Sequence, residues 1–204
     1  GEKGLKRIAF NIHSAATHLS RQLIKLGYNQ FNKNFFDTLK IGLPDGIKAS
    51  SIHEIAREKE INFRHIDDKT IGISLDETVS VEDLNDILEI FALAVGKRYD
   101  RFTENKALVS LNPDFLRTSG FLKASVFNTY HSESDMMRYI KMLDRKDISL
   151  AHSMISLGSC TMKLNAATEL IAFMWPEFAS LHPFAPMDQV EGYMQLFSEL
   201  AHDL

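Results

Sequence analysis

The chain is poor in cysteine. Cys160 is the single cysteine among 204 residues. A lone thiol excludes an intrachain disulfide framework, and it cannot build a thiolate metal site by itself. No metal site is therefore predicted, and the unpaired cysteine fits a reducing compartment.

The chain also lacks a long apolar run and a strong excess of one charge. No stretch is long enough to span a bilayer. The 23 Lys and Arg against 27 Asp and Glu give a formal net charge of −4. Because acids and bases are interspersed, neither a nucleic-acid partner nor a membrane surface is predicted. Apolar residues at 45% and charged residues at 25% are typical of a globular protein of one domain or two small ones.

Residues 1–98 have the pattern of an α/β (α+β) unit. Apolar residues recur at helical spacing from Ile8 to Leu26, and Gly27 is well placed to end that helix. A last helix is predicted to be capped by Ser80. Its predicted buried stripe consists of Leu84, Ile87, Leu88, Phe91 and Val95.

Between these helices the pattern alternates with a period of two residues. Three strands are predicted, at 35–43, 61–66 and 70–75, with a turn at 44–46. A short helix is predicted to begin with a capping box of Ser51 and Glu54. The order helix, strand, helix, strand, strand, helix suits a small sheet covered by helices on one face.

Residues 99–150 have the pattern of an ordered connector with one helix, which Ser132 and Asp135 are predicted to cap. Aromatic residues without low complexity argue against disorder, and we expect them to pack on a neighbouring surface. They are Phe115, Phe121, Phe127 and Tyr130. The buried side of the connector helix is predicted to consist of Met136, Ile140 and Leu143.

The segment around Gly158 concentrates polar chemistry. Gly158 and Ser159 suit a tight turn that brings backbone N–H groups close to an anion. Thr161 offers a hydroxyl, Lys163 a positive charge and Asn165 an amide, groups that can hold a carboxylate or a phosphate. A structural interpretation is also open: a plain turn, a solvated lysine and an asparagine that caps a helix. Residue types alone favour this second interpretation.

Several motifs carry a resemblance to a known family. They are the segments 115–119, 130–133, 137–140, 152–165, 175–178 and 182–186. In these motifs the chain resembles the P-protein of the glycine cleavage system, a pyridoxal-phosphate-dependent glycine decarboxylase. Because the family's chain is several times longer, and this one starts at glycine rather than methionine, we expect a central fragment.

The resemblance implies a fold and a domain organisation. Each half of the family's chain resembles a fold-type-I aminotransferase, with a large domain and a small lobe. Residues 1–98 would then form the small C-terminal lobe that ends the first half. Residues 99–150 would form a helical and irregular connector, and 151–204 the truncated start of the second, cofactor-binding half.

The resemblance also implies chemistry. In the full-length enzyme, pyridoxal phosphate is the electron sink when glycine releases carbon dioxide, and the aminomethyl group passes to the lipoyl arm of the H-protein. The family's cofactor lysine lies in a motif that this chain does not contain, and Lys163 is not that lysine. We therefore expect no catalytic residue here, no cofactor bound to the fragment, and no activity of the fragment alone.

By the same resemblance, this chain supplies one wall of the substrate and cofactor cleft. Backbone N–H groups and Thr161 could orient glycine's carboxylate. His182 could stack on the cofactor ring or move a proton, although a structural role in its Pro-flanked loop stays open. The implied cleft residues are Gly158, Ser159, Cys160, Thr161, Met162, Lys163, Asn165 and His182.

Two other functions stay open at this point: a non-enzymatic binding or assembly module, and a small-molecule regulatory domain. An amphipathic helix predicted near the C-terminus favours the enzyme fragment, because its apolar residues need cover. These residues are Val190, Met194, Leu196, Phe197 and Leu200. We expect glycine and a lipoyl-bearing H-protein as partners of the full enzyme, a homo-oligomer, and a bacterial cytoplasm or a mitochondrial matrix as its location.

Overall fold

The computed structural model describes residues 1–103, 111–146 and 167–204. These residues form two compact units, Gly1–Thr129 (unit 1) and Tyr130–Leu204 (unit 2). The elements of unit 1 are α1 (Glu2–Leu26), β1 (Asn29–Gln30), β2 (Thr38–Gly42), α2 (Ala49–Glu58), β3 (Arg64–Asp67), β4 (Thr70–Ser74), α3 (Val81–Ala94) and short 3₁₀ helices at Pro113–Phe115 and Ser125–Asn128. Those of unit 2 are α4 (Glu133–Asp144), α5 (Ala167–Ile171), α6 (Pro176–Ala179), α7 (Glu191–Asp203) and 3₁₀ helices at Ala172–Met174 and Met187–Gln189.

Unit 1 is a mixed α/β structure with a four-stranded antiparallel sheet. The strand order is β1-β2-β4-β3. Leu39 lies opposite Ile73, and Ile41 opposite Ile71. Leu39 and Ile41 are buried whereas Lys40 between them is exposed, so one face of β2 points into the core and the other stays open. This agrees with the predicted small sheet.

The core of unit 1 lies between that sheet face and the helices. Helices α1 and α2 both pack on α3, and α1 also contacts β1 and β2. Its largest fully buried apolar side chains come from all three helices and from β2 and β4: Phe91, Leu19, Leu23, Leu39, Ile41, Ile52, Ile71, Leu88 and Ile90. Apolar residues at helical and strand spacing therefore close one common core.

The predicted ends of the long helices are confirmed. Gly27 ends α1 in the left-handed conformation, with φ +103°, which only glycine adopts without strain. Lys97 Nζ donates a 2.6 Å hydrogen bond to the Leu26 carbonyl oxygen, so a cation lies at the negative end of the α1 dipole. Ser80 begins α3 with a complete capping box, in which Asp83 is the reciprocal partner.

The prediction for the start of α2 is wrong. The helix begins at Ala49 after Lys48, whose side chain makes no capping hydrogen bond. Ser51 and Glu54 lie inside the helix. Ala49 and Ile52 are buried in the core, and this packing stabilises a helical turn that begins before Ser51. Tertiary packing thus overrides the local capping signal.

The strands are shorter than predicted, and one was not predicted at all. The predicted strands 35–43 and 61–66 correspond to β2 and β3, which begin only at Thr38 and Arg64. The missed strand is β1, whose two residues pair with Ile41 and Gly42. A two-residue strand has no periodicity that a sequence pattern could reveal.

In unit 2, the predicted cap of α4 is confirmed, because Ser132 Oγ accepts a 3.1 Å hydrogen bond from the Asp135 backbone N–H. The prediction of a buried side is wrong for the described residues. Met136, Ile140 and Leu143 are 43%, 52% and 43% exposed, because no described element covers that face of the helix.

Candidate functional site

Most of the predicted cleft residues lie outside the described residues. These are Gly158, Ser159, Cys160, Thr161, Met162, Lys163 and Asn165. Their proposed part in the cleft therefore stays a prediction. His182 is the one member of the set that the structure describes, and it lies in an exposed loop between α6 and the 3₁₀ helix Met187–Gln189.

The loop around His182 is held by two short-range hydrogen bonds. The Ala185 backbone N–H donates to the His182 carbonyl oxygen at 3.0 Å. The Phe184 backbone N–H donates to His182 Nδ1, also at 3.0 Å. Pro183 within this turn and Pro186 directly after it fix their own φ angles. The imidazole therefore has a defined orientation although it is exposed.

This hydrogen bond also defines which ring nitrogen of His182 carries the proton. A backbone N–H can only donate, so Nδ1 accepts and has no proton in this arrangement. The neutral ring is then protonated on Nε2, which is free to donate to an oxygen of a bound molecule. In this tautomer the ring presents Nε2–H as a hydrogen-bond donor.

A row of aromatic rings joins α6 to α7. Neighbouring ring centroids lie 6.3, 6.0 and 5.8 Å apart along the series Trp175, Phe178, Tyr193 and Phe197, within the range of favourable aromatic pairs. The Tyr193 hydroxyl donates a 2.7 Å hydrogen bond to the Phe178 carbonyl oxygen. Tyr193 thus ties α7 to the end of α6. Sequence reasoning missed it, and its one signal was the helical spacing to Phe197.

Between α6 and α7 lies an open groove of about 470 Å³. Its lining residues are Glu177, Phe178, Leu181, Gln189, Val190, Gly192, Tyr193, Gln195, Leu196 and Glu199. Residues 167–204 contain neither lysine nor arginine. The groove thus combines apolar surface with two carboxylates and no opposing cation from its own segment.

The charged residues of 167–204 can be compared with what pyridoxal phosphate requires. The cofactor needs a lysine for its Schiff base, and positively charged groups favour its phosphate. Residues 167–204 supply neither lysine nor arginine, so they do not fit the whole cofactor. What they supply is an imidazole whose Nδ1 accepts from the Phe184 N–H and, between α6 and α7, a row of aromatic rings.

Two further classes of site are absent from the described ranges. In residues 1–103, 111–146 and 167–204, no three His, Cys, Asp or Glu side chains come together as metal ligands. None of the helices within those ranges is long and apolar enough to cross a membrane.

Comparisons with known proteins identify relatives along the whole chain. Residues 1–91 match the family model described as glycine cleavage system P-protein. All 204 residues are 50% identical to a glycine dehydrogenase (decarboxylating) of Bacteroides thetaiotaomicron and cover 22% of it. The mitochondrial glycine dehydrogenases (decarboxylating) of Mus musculus and Homo sapiens are 48% and 47% identical over the whole chain, which covers 20% of each.

The chain therefore spans about a fifth of the length of these curated relatives, which come from bacteria and from mitochondria. The alignments cover the whole chain at close to 50% identity, so each part of the chain has a counterpart in these relatives. The resemblance inferred from the motifs is confirmed: residues 1–91 match the model of the glycine cleavage system P-protein, and the whole chain is similar to glycine dehydrogenases (decarboxylating).

Proposed function

We propose that this chain is part of a pyridoxal-phosphate-dependent glycine decarboxylase, which releases carbon dioxide from glycine and passes the aminomethyl group to the lipoyl arm of an H-protein. The observation that carries the proposal is the 50% identity of the whole chain to a protein named glycine dehydrogenase (decarboxylating). In this proposal the enzyme works in a bacterial cytoplasm or a mitochondrial matrix.

The fold has a corresponding place in the proposal. The helices and four-stranded sheet of unit 1 form the small lobe that ends an aminotransferase-like first half. Residues 99–150, which include α4, form the connector, and residues 151–204 begin the second half. The proposed cleft wall consists of Gly158, Ser159, Cys160, Thr161, Met162, Lys163, Asn165 and His182. Two observations support this placement: the small antiparallel sheet, and the fact that the chain covers only about a fifth of its relatives' length.

The role of this chain in the proposed reaction is positioning. His182 Nε2–H donates to an oxygen of the bound substrate or cofactor, because its Nδ1 is engaged by the Phe184 N–H. Backbone N–H groups near Gly158, with the Thr161 hydroxyl, orient glycine's carboxylate. Pyridoxal phosphate supplies the electron sink when bound. Positioning contributes to the rate because the bond to the leaving carboxylate must stand perpendicular to the cofactor ring.

The first test is the polypeptide itself. Intact-mass measurement of the native protein that contains residues 127–133 should give several times 23.2 kDa. That full-length protein should release labelled carbon dioxide from carboxyl-labelled glycine, and omission of either pyridoxal phosphate or lipoylated H-protein should abolish the release. A native mass near 23.2 kDa would instead support the binding or assembly module.

A second test separates the chain from the whole enzyme. The 204-residue chain, incubated with pyridoxal phosphate and reduced with borohydride, should show no stoichiometric pyridoxyl adduct at a unique lysine. The full-length protein is the control and should be labelled at one lysine outside this sequence. Stoichiometric labelling of Lys163 in the short chain would contradict the proposal that the cofactor lysine lies outside this sequence.

A further inference from the structure

The turn between β2 and α2 contains the only aspartate of the sequence that a glycine follows, Asp45-Gly46. No asparagine of the sequence is followed by glycine. In an aspartyl-glycyl pair the next backbone nitrogen can attack the side-chain carboxyl with little hindrance, because glycine has no Cβ to obstruct the approach. The sequence therefore marks one position for this chemistry, and the reaction there depends on what holds the two reacting groups.

The turn itself is lightly held. Among the described residues, one backbone hydrogen bond closes it, from the Ile47 N–H to the Pro44 carbonyl oxygen at 3.2 Å. Gly46 has a φ of +85°, whereas Asp45 is not in the positive region, the pattern of a type II turn. Apart from chain neighbours, no described atom lies within 4 Å of the place that a Cβ on Gly46 would take. The backbone can therefore rotate about the Asp45 Cα–C bond at the cost of a single hydrogen bond.

Neither reacting group is engaged in the turn. Within the described residues, the Gly46 N–H has no acceptor, and the Asp45 carboxyl has neither a hydrogen-bond donor nor an ion-pair partner. Asp68 offers a contrast in a neighbouring turn. The Lys69 N–H that follows it donates to Asp67 Oδ1 at 2.9 Å, and lysine also carries a Cβ. The conditions for attack thus meet at Asp45 and not at Asp68.

We propose that Asp45 is a site of isoaspartate formation. The Gly46 nitrogen bonds to the side-chain carbonyl carbon of Asp45, and the amide proton and the hydroxyl of the protonated carboxyl leave as water, which gives a cyclic succinimide. Water then adds to either ring carbonyl. Opening at the main-chain carbonyl yields isoaspartate, and opening at the other restores aspartate. No oxidant, reductant or cofactor takes part, so the inference is independent of the glycine chemistry.

Isoaspartate changes the connection between β2 and α2, because the chain then runs through the side chain of residue 45 and is longer by one methylene group. Both ends of this connection are fixed to the loop between β3 and β4. The Leu43 N–H donates to the Lys69 carbonyl oxygen at 2.8 Å, and the Ala49 N–H donates to the Asp68 carbonyl oxygen at 3.0 Å. We therefore expect faster hydrogen exchange at the Leu43 and Ala49 amides in the converted protein.

The test compares the 204-residue chain with a peptide of residues 41–51, both incubated at neutral pH. Peptide mapping with electron-transfer fragmentation locates isoaspartate, and methylation by an isoaspartyl methyltransferase with labelled S-adenosylmethionine counts it. Mobile loops open at a free-energy cost near zero, so the initial rate at Asp45 in the chain should lie within about tenfold of the peptide rate, equivalent to an opening cost of at most about 1.4 kcal/mol. A succinimide, lighter by one water, should appear first.

Two variants and one internal control support the assignment. Asp45→Glu keeps the charge but would need a larger ring, so it should form no isoaspartate at this position. Asp45→Asn should convert faster than the wild type, because ammonia leaves in place of water, and it serves if the glutamate variant fails to fold. Asp68 in the wild-type chain should stay unconverted, since its following N–H is engaged. Circular dichroism checks the fold of each protein.

Three outcomes would overturn the proposal. One is a folded chain whose rate at Asp45 falls below the expected range while the peptide converts, which would mean that the turn protects the residue. Another is equal conversion at Asp68, which would mean that the local arrangement does not set the rate. The third is undiminished isoaspartate in the Asp45→Glu variant. Conversion confined to residue 45, with faster exchange at Leu43 and Ala49, supports the site.

Discussion

Asn85 gives the sharpest test of how unit 1 is held together. Its side chain is only 4% exposed. Asn85 Nδ2 donates to the Val81 carbonyl oxygen at 3.0 Å and to the Phe102 carbonyl oxygen at 3.2 Å, and Oδ1 accepts from the Phe102 N–H at 2.8 Å. One amide thus pairs with both backbone groups of Phe102, as a neighbouring strand would.

The substitution Asn85→Ala removes all three hydrogen bonds. A typical hydrogen bond contributes about 1 kcal/mol net, and a buried group left unpaired costs about 1–3 kcal/mol. In the variant, the segment around Phe102 can move away from α3, and its backbone groups can then hydrogen-bond to water. The loss of stability therefore stays near the lower end of the summed contributions. We expect the free energy of unfolding to fall by about 2–4 kcal/mol.

Urea unfolding followed by circular dichroism measures this change, and hydrogen exchange at the Phe102 amide reports the local effect. The control Asn34→Ala removes the same side chain from an exposed position and should change the stability by about 0.5 kcal/mol or less. If Asn85→Ala matched that control, or left the Phe102 amide equally protected, the assigned role of the side chain would be refuted.

Three further predictions concern pH and the cleft. Burial raises the pKa of Tyr28, whose hydroxyl donates to the Phe91 carbonyl oxygen. The stability that the protonated hydroxyl contributes should therefore be fully present below its ordinary pKa of 10.0 and should fall as the pH rises above it. In urea unfolding, Tyr28→Phe should reduce this loss of stability at alkaline pH. Burial first, and the charge of His65 second, lowers the pKa of His53. The stability that neutral His53 contributes should therefore be fully present above its ordinary pKa of 6.5 and should be lost as the pH falls below it. His53→Gln should remove this pH dependence in the same assay. In the full-length enzyme, Thr161→Ala should lower glycine decarboxylation more than retention of pyridoxal phosphate, measured by cofactor absorbance, whereas equal losses would indicate a role in folding.

The helices of unit 1 could be predicted from the sequence because their signals are local. The end of α1 follows from the glycine at position 27, and the start of α3 from the serine at position 80, since each residue meets a geometric requirement of a helix terminus. The capping signal at Ser51 failed because the actual first turn of α2 is set by burial of Ala49. A local motif cannot report such a long-range contact.

The candidate site was predictable to a different extent. His182 was singled out by its Pro-flanked loop and by family resemblance, but neither specified the Phe184 N–H that engages its Nδ1. Tyr193 was missed because its partner is a backbone carbonyl at residue 178, fifteen positions away. Side chains that bind the backbone of a distant residue leave no periodic pattern in a sequence.

The two units of this chain differ in how they use their apolar residues, and the difference decides what each experiment reports. Unit 1 encloses fully buried side chains such as Phe91 and Leu88. In unit 2, Met174 and Phe184 are 77% and 89% exposed, and the buried core of the described residues includes no side chain of this unit. A unit without an enclosed core gains little stability from burial, whereas its exposed apolar surface favours association. Unfolding free energies measured on this chain therefore report mainly on unit 1. The loss of stability in the Asn85 variant should for that reason leave the hydrogen exchange of amides in α7 of unit 2 unchanged, because the core of the described residues includes no side chain of that helix.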